Sequence, residues 1–466
     1  MADTENLRDT LLFKRKNGYD IVSGAEVAAI SEYCEGYKVY LDRGKTEREA
    51  VAAAAVMAQA KGFVPYRRGM ELKAGDRVYA INHNRAFVAA VIGEDSMNEG
   101  TLIAASHVDS PRIDLKPYPL YEEADMAFFK THYYGGIRKY QWVTTPLEIH
   151  GVIVKTDGET VEVNLGGRDD EPVFVITDLL PHLGKDQGVK PLATAFTGES
   201  LNVLVGGMPY NDEGSDRVKF AIMCLLNEKY DICEEDFLSA ELSLVPAGKA
   251  RDVGFDASFV GAYGQDDRVC AYTTLTALLE IEGAPKRTCL CILADKEEIG
   301  SEGIGGMQSA WYDTFVSDLC DSTGADLRAC YESSVCLSAD VGAAFDPNYA
   351  EAYEKRNTAV VNGGAILMKY TGSGGKSSSN DADAELIAAF RKNFGDANVL
   401  WQMGELGKVD QGGGGTVAKF MAKRNISTVD IGVPVLSMHA PFEVTAKLDV
   451  YMMYKAAKAF FTLEKK

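Results

Sequence analysis

Apolar and polar positions alternate along this chain in two ways, and each predicts a different element. Helix signals stand out in four places. Thr46 followed by Glu49 forms a capping box before "AVAAAAVMAQAK", and Gly62 supplies the stop. "RVCAYTTLTALLEIEG" (268–283) has helical spacing and also ends in glycine. Asn380 stands where it can cap "DADAELIAAFRKNFG", and "AKLDVYMMYKAAKAFFTL" (446–463) closes the chain with apolar residues three and four apart.

Between these lie short runs that are apolar throughout: "TLIAAS" (101–106), "CLCILA" (289–294), "VCLSA" (335–339) and "VPVLSM" (433–438). Such runs predict strands covered on both faces, hence an α/β fold with a doubly wound mixed sheet sandwiched by helices. The stretch 118–258 reads differently. "LEIHGVIVKTDGETVEVNLGG" alternates around an Asp157-Gly158 turn, a hairpin signal, and a helical pattern returns only after residue 213. The predicted organisation is an α/β domain over 1–117 and 259–466 interrupted by a β-rich insert. Two glycine-rich stretches, "GSGGKSSSND" (372–381) and "DQGGGGT" (410–416), read as loops.

Composition narrows the partners. With 466 residues, 46% hydrophobic and 25% charged, the chain can bury a large core and is too long for one compact domain. Its net charge of −20 argues against nucleic acid or an anionic membrane as partner, since both call for a basic surface. The first twenty residues lack the apolar core of a signal peptide, and no run approaches the ~18 apolar residues of a membrane span. Nine cysteines include no C-x-x-C pair, and Cys224, Cys289 and Cys291 sit inside apolar runs. Buried free thiols and a cytoplasmic location are expected.

The residues just beyond each apolar run carry the candidate chemistry. His107 and Asp109 come after the first, Asp295, Glu297 and Glu298 after the second, Asp340 after the third and His439 after the fourth; Asp266-Asp267 opens a helix. In open α/β sheets, ligands bind beyond the carboxyl ends of the strands. Singly, each residue is explained by a cap or a turn. Together they form the donor set of a two-metal site. Two ions ~3.5–4 Å apart need a shared ligand, and a carboxylate can bridge where a histidine cannot. Asp266 is the expected bridge, with His107 and Asp340 on one ion and Glu298 and His439 on the other. Asp109 is expected to accept the second ring N–H of His107 and so fix its tautomer. Glu297, projecting differently from Glu298 in extended chain, is left as general base toward a bound water.

Other motifs fail. "GSGGKSSS" has Tyr370 where a phosphate loop needs glycine, and "GSGGKS" lacks the last glycine of a dinucleotide fingerprint. His83 in "INHNR" is expected in a hairpin turn, and His150 on an alternating strand is expected to be a surface or structural residue.

"ASHVDSPRIDLKP", "GQDDRV", "DKEEIGSEG", "SADVGAAFDPNY", "VNGGAI" and "SMHAPFEV", in this order, resemble the aspartyl aminopeptidase and vacuolar aminopeptidase I family of dinuclear zinc metallopeptidases. "YYGGI" (133–137) followed by Trp142 and Leu147 is similar to the opening of that family's insert. The resemblance implies a zinc-exopeptidase-like catalytic domain, a dimerisation insert and dimers assembling into a tetrahedral dodecamer. It implies removal of the N-terminal residue from short peptides. It also implies two divalent ions, zinc first and cobalt or manganese otherwise, on His107, Asp266, Glu298, Asp340 and His439, with Glu297 as base. His182 in "LLPHLG" resembles the insert histidine that reaches a neighbouring subunit's active site. Two departures bear on specificity. Ala343 and Asp346 stand where aspartyl-specific members carry histidines, and "VTTP" replaces an Asp-Arg pair. An acidic substrate residue would then need Lys376 as its basic partner; otherwise a neutral or broad preference is expected. A deacylase or carboxypeptidase with the same ligands is the alternative, and a scaffold with a vestigial site ranks last because no ligand is missing.

Overall fold

The computed structural model describes residues 7, 8 and 10–464. The reading of the first twenty residues falls partly outside these. The apolar runs become the middle of a nine-stranded mixed sheet. Its order is Val64–Pro65, Arg77–Asn82, Ala86–Val91, Cys289–Ala294, Leu102–His107, Val335–Ala339, Ser427–Gly432, Ala365–Met368 and Trp401–Met403. The strands from Cys289–Ala294 to Ser427–Gly432 run parallel. Successive residues face opposite sides: Cys289, Cys291 and Leu293 join one core, Leu290 and Ile292 the other. Helices Gly24–Arg43, Glu47–Ala60, Gln265–Leu279, Ala384–Asp396 and Lys447–Phe460 close the first core; Trp311–Thr323, Leu327–Ser333 and Ala418–Ala422 close the second. Covered on both faces, these strands carry no polar alternation.

The capping box forms: Glu49 Oε2 accepts from the Thr46 N–H at 2.9 Å, and Thr46 Oγ1 accepts from the Glu49 N–H at 3.4 Å. Asn380 does not cap its helix. Asp383 does, accepting from the Leu386 N–H at 2.7 Å, while the Asn380 amide donates to the Thr428 carbonyl. Both residue types cap well, and the buried face of Leu386, Phe390 and Phe394 sets where the first turn begins.

A second, wholly antiparallel sheet has seven strands, from Thr160–Leu165 at one edge to Val175–Ile176 at the other. Its strands are drawn from Arg112 to Pro246, so position 118 lies inside the long strand Arg112–Glu123. The Asp157-Gly158 turn joins Leu147–Val154 to Thr160–Leu165, and helix Arg217–Tyr230 packs on a core of its own around Phe129, Trp142 and Phe237. A third, five-stranded sheet holds Phe259–Ala262, Pro434–Leu436 and Glu443–Ala446. The run 433–438 therefore departs from expectation. Ser427–Gly432 takes the place beside Val335–Ala339, and the chain moves on to the smaller sheet. Among the described residues, no helix is long and apolar enough to cross a membrane. All nine cysteines are free, seven of them buried.

Candidate metal centre

Three adjacent strand ends bring the first donors together. Leu102–His107 delivers His107, which pairs in register with Ala294 of Cys289–Ala294. Asp340 lies one residue beyond Val335–Ala339. After Ala294 the chain turns through Lys296 at φ 69° into a single 3-10 turn, Glu297–Ile299. Asp266 stands at the start of Gln265–Leu279 with extended rather than helical dihedrals, φ −79° and ψ 108°. His439 arrives from the third sheet, in the turn between Pro434–Leu436 and Glu443–Ala446.

Asp266 sits between two sets of donors. Its Oδ1 is 3.2 Å from His107 Nε2, and its Oδ2 is 2.9 Å from His439 Nε2. Asp340 Oδ1 lies 3.9 Å from His107 Nε2, and Glu298 Oε1 lies 3.5 Å from His439 Nε2. His107, Asp266 and Asp340 offer donor atoms within 4.8 Å of one another, and so do Asp266, Glu298 and His439. The His107 side chain is 2% exposed and that of His439 31%, so the two sets differ in access and the second opens toward solvent.

The local scaffold differs from extended chain. Because Glu297 and Glu298 occupy a 3-10 turn, their separation comes from helical rather than strand geometry. Asp109 holds that turn: its Oδ1 accepts from the Glu297 N–H at 3.1 Å and its Oδ2 from the Glu298 N–H at 3.2 Å. The His107 tautomer is fixed differently from expectation. Nδ1 lies 2.9 Å from the Asp109 carbonyl and 3.3 Å from its carboxylate, which is already occupied by the two N–H groups. His439 Nδ1 meets the Gly136 carbonyl at 3.0 Å. Both rings thereby turn Nε2 toward Asp266.

The electrostatics of the cluster call for cations. Burial pushes the carboxyls of Glu298 and Asp340 well above the usual carboxylate range and that of Glu297 up to about 7, although His107 and Lys419 pull Glu297 back. Burial opposes charge on the imidazoles too, but Asp109 and Asp266 raise His107, and Asp266 raises His439 to about 10. Asp266 Oδ1 and Glu298 Oε1 are buried without a hydrogen-bond partner. Two histidines cannot neutralise this many buried carboxylates, whereas a divalent ion in each set would do so and would occupy the unpartnered oxygens. Mixed imidazole and carboxylate donors suit zinc, cobalt or manganese. The residues present therefore fit two ions.

His182 and Lys376 are not brought to this cluster. His182 is exposed on the connection before Lys185–Gly188. Lys376 Nζ is 2.9 Å from Asp381 and 3.8 Å from the centre of the Tyr370 ring. Sequence reasoning missed Glu443, whose carboxylate holds the backbones of His439 and Asp266 at 2.7 and 3.1 Å. Asp267 was read only as part of the pair that opens the helix and Tyr134 only within "YYGGI"; in the structure Asp267 is fully buried with its Oδ2 3.4 Å from the His107 backbone N–H, and Tyr134 donates to Asp109. Glu443 stands four residues after His439 in "SMHAPFEV"; only the folded turn reveals that it faces back.

Comparison with known proteins supplies the family. The family profile described as Aminopeptidase I zinc metalloprotease (M18) matches residues 40–461. A probable M18 family aminopeptidase 1 of Clostridium acetobutylicum is 48% identical over 459 residues, 97% of this chain and 98% of that protein. The crystal structure of an M18 aminopeptidase from Thermotoga maritima superposes with a TM-score of 0.93 at 40% identity, over 97% of this chain and all of that one. That of aminopeptidase I from Clostridium acetobutylicum gives 0.90 at 45% identity, over 98% and 100%. Yeast structures, including an S. cerevisiae mApe1 dodecamer at 19% identity and TM-score 0.74, share the fold. The chain belongs to the M18 family of aminopeptidase I zinc metalloproteases.

Proposed function

We propose that this aminopeptidase removes the N-terminal residue from short peptides, with Glu297 as general base and the two donor sets around Asp266 as its metal site. The shared position of Asp266 carries the conclusion, because one carboxylate faces both histidines from opposite oxygens. Two divalent ions bound there would supply Lewis-acid polarisation and an acidified water. His107 and Asp340 hold the enclosed side; Glu298 and His439 hold the side that faces solvent, from which a peptide enters. Glu297, fixed by Asp109 through its N–H, takes a proton from the attacking water and returns it to the leaving amine.

Specificity follows from cations. Lys376 is already paired with Asp381, which favours a neutral or broad preference over an acidic one. The seven-stranded unit, with the 118–258 stretch as its body, is proposed to mediate dimerisation and higher assembly toward a dodecamer, where His182 would reach a neighbouring active site. Its exposure and the assembly of the yeast relative support that. Free cysteines and a net charge of −20 support a cytoplasmic location.

The test is release of the first residue from a panel of free-amino-terminus peptides by metal-stripped protein reloaded with zinc, cobalt or manganese, with N-acetyl amino acids as the competing substrate class. Metal-dependent release, lost in Glu297→Gln while metal still binds, establishes the proposal. Release from acetylated substrates alone would establish a deacylase in its place.

A further inference from the structure

We propose that Tyr134, Gly135 and Gly136, where the seven-stranded sheet ends against the metal centre, form a positioning clamp for the catalytic groups, and that the Tyr134 hydroxyl sets the placement of Glu297. This rests on the aminopeptidase assignment of the same site.

Three consecutive residues touch three different parts of the centre. Tyr134 closes the strand Met126–Tyr134, and its hydroxyl donates to Asp109 Oδ2 at 2.7 Å. That carboxylate spends its remaining lone pairs on the N–H groups of Glu297 and Glu298. With its oxygens committed on both sides, Asp109 has one orientation, and the 3-10 turn carrying base and ligand has one as well. Gly135 follows at φ +73°, and a Cβ there would stand 3.3 Å from Glu298 Cβ and 3.4 Å from its Oε2. Gly136 then presents its carbonyl to His439 Nδ1 at 3.0 Å, and a Cβ would crowd that nitrogen at 3.3 Å. Glycine at both positions lets the backbone approach where a side chain would displace a ligand.

The clamp is itself anchored. The Arg112 guanidinium lies 4.2 Å from the centre of the Tyr134 ring, and Arg112 is held by Glu47 at 2.9 Å and Asp114 at 2.8 Å. Glu47 opens a helix of the catalytic domain and Asp114 lies on a strand of the second sheet, so Tyr134 is seated where the two units meet. Packing alone would require the ring but not the hydroxyl. The hydroxyl is therefore what separates a positioning residue from a core residue.

Tyr134→Phe keeps the ring under Arg112 and removes only the donor; Tyr133→Phe removes the hydroxyl of the half-exposed neighbour and serves as control. Circular dichroism establishes that both fold. At saturating zinc, kcat for a peptide should fall about 10- to 100-fold in Tyr134→Phe with KM within about threefold of wild type, as for outer partners of metal sites. Zinc affinity, from chelator competition, should fall about tenfold. Combined with Asp109→Asn, the loss in kcat should be less than the product of the single losses. Tyr134→Phe matching Tyr133→Phe in both kcat and zinc affinity overturns the clamp. If wild type releases nothing from any peptide, the aminopeptidase assignment fails, and the zinc titration still decides the clamp by itself.

Discussion

Glu443 holds His439 through its main chain: Oε1 accepts from the His439 N–H at 2.7 Å, and the other oxygen of the same carboxylate takes the Asp266 N–H at 3.1 Å. One buried side chain thus sets the spacing between a ligand of the solvent-facing set and the residue shared by both sets. Glutamine at 443 keeps one acceptor and turns an amide donor toward the other N–H. Glu443→Gln should weaken zinc binding about tenfold. Chelator competition monitored at equilibrium measures this directly, and unchanged affinity would remove Glu443 from the centre.

Stoichiometry distinguishes the bridge from an ordinary ligand. Asp340 serves the His107 set alone, while Asp266 serves both. Metal analysis after extensive dialysis should return about one ion per chain for Asp340→Ala and close to none for Asp266→Ala. Equal losses in the two variants would mean that Asp266 does not bridge.

Substrate preference turns on Lys376. Its ion pair with Asp381 and its contact with Tyr370 leave it committed within its own loop. Lys376→Ala should therefore change kcat/KM for N-terminal alanine and N-terminal aspartate by similar factors, within about threefold. A selective loss of aspartate cleavage by tenfold or more would restore the acidic-pocket role.

His150 supplies a pH signature away from the metal centre. It lies on Leu147–Val154 of the second sheet and reaches Glu49 of the helix Glu47–Ala60 at 2.7 Å, with Glu148 at 3.4 Å. Burial opposes its charge, but the nearby carboxylates of Glu148 and Glu49 raise it to about 9. Since the folded value exceeds the unfolded one, the folded state binds the extra proton. The stabilisation is complete below about pH 6.5 and is lost as pH rises toward about 9, amounting to about 3 kcal/mol. Thermal midpoints of wild type should fall over this interval, and those of His150→Gln should be flatter. Parallel profiles would show that His150 titrates alike in both states.

The clustering of candidate donors was legible because strand ends in an α/β sheet converge, and each uniformly apolar run names its own terminus: His107 and Asp340 follow such runs directly. Asp266 was legible through its middle position and the need for a bridging carboxylate. What was not legible depends on turns. Lys296 in the left-handed region starts a 3-10 turn that extended-chain reasoning could not foresee, and it changes how Glu297 and Glu298 diverge. His439 follows an apolar run, yet that run joins another sheet, because pairing partners are chosen by tertiary competition and not by local pattern. Tyr134 was legible only as part of "YYGGI", because its role arises from a hydrogen bond to a residue twenty-five positions earlier.

The dispersal of the donors along the chain has a consequence for fragments. His107 and His439 are more than three hundred residues apart, and the centre uses residues from all three sheets. The second donor set is complete only when residue 439 is in place beside Asp266 and Glu298. A fragment cut anywhere before residue 439 would lack the second donor set, so metal binding there depends on the assembled fold and not on any contiguous segment.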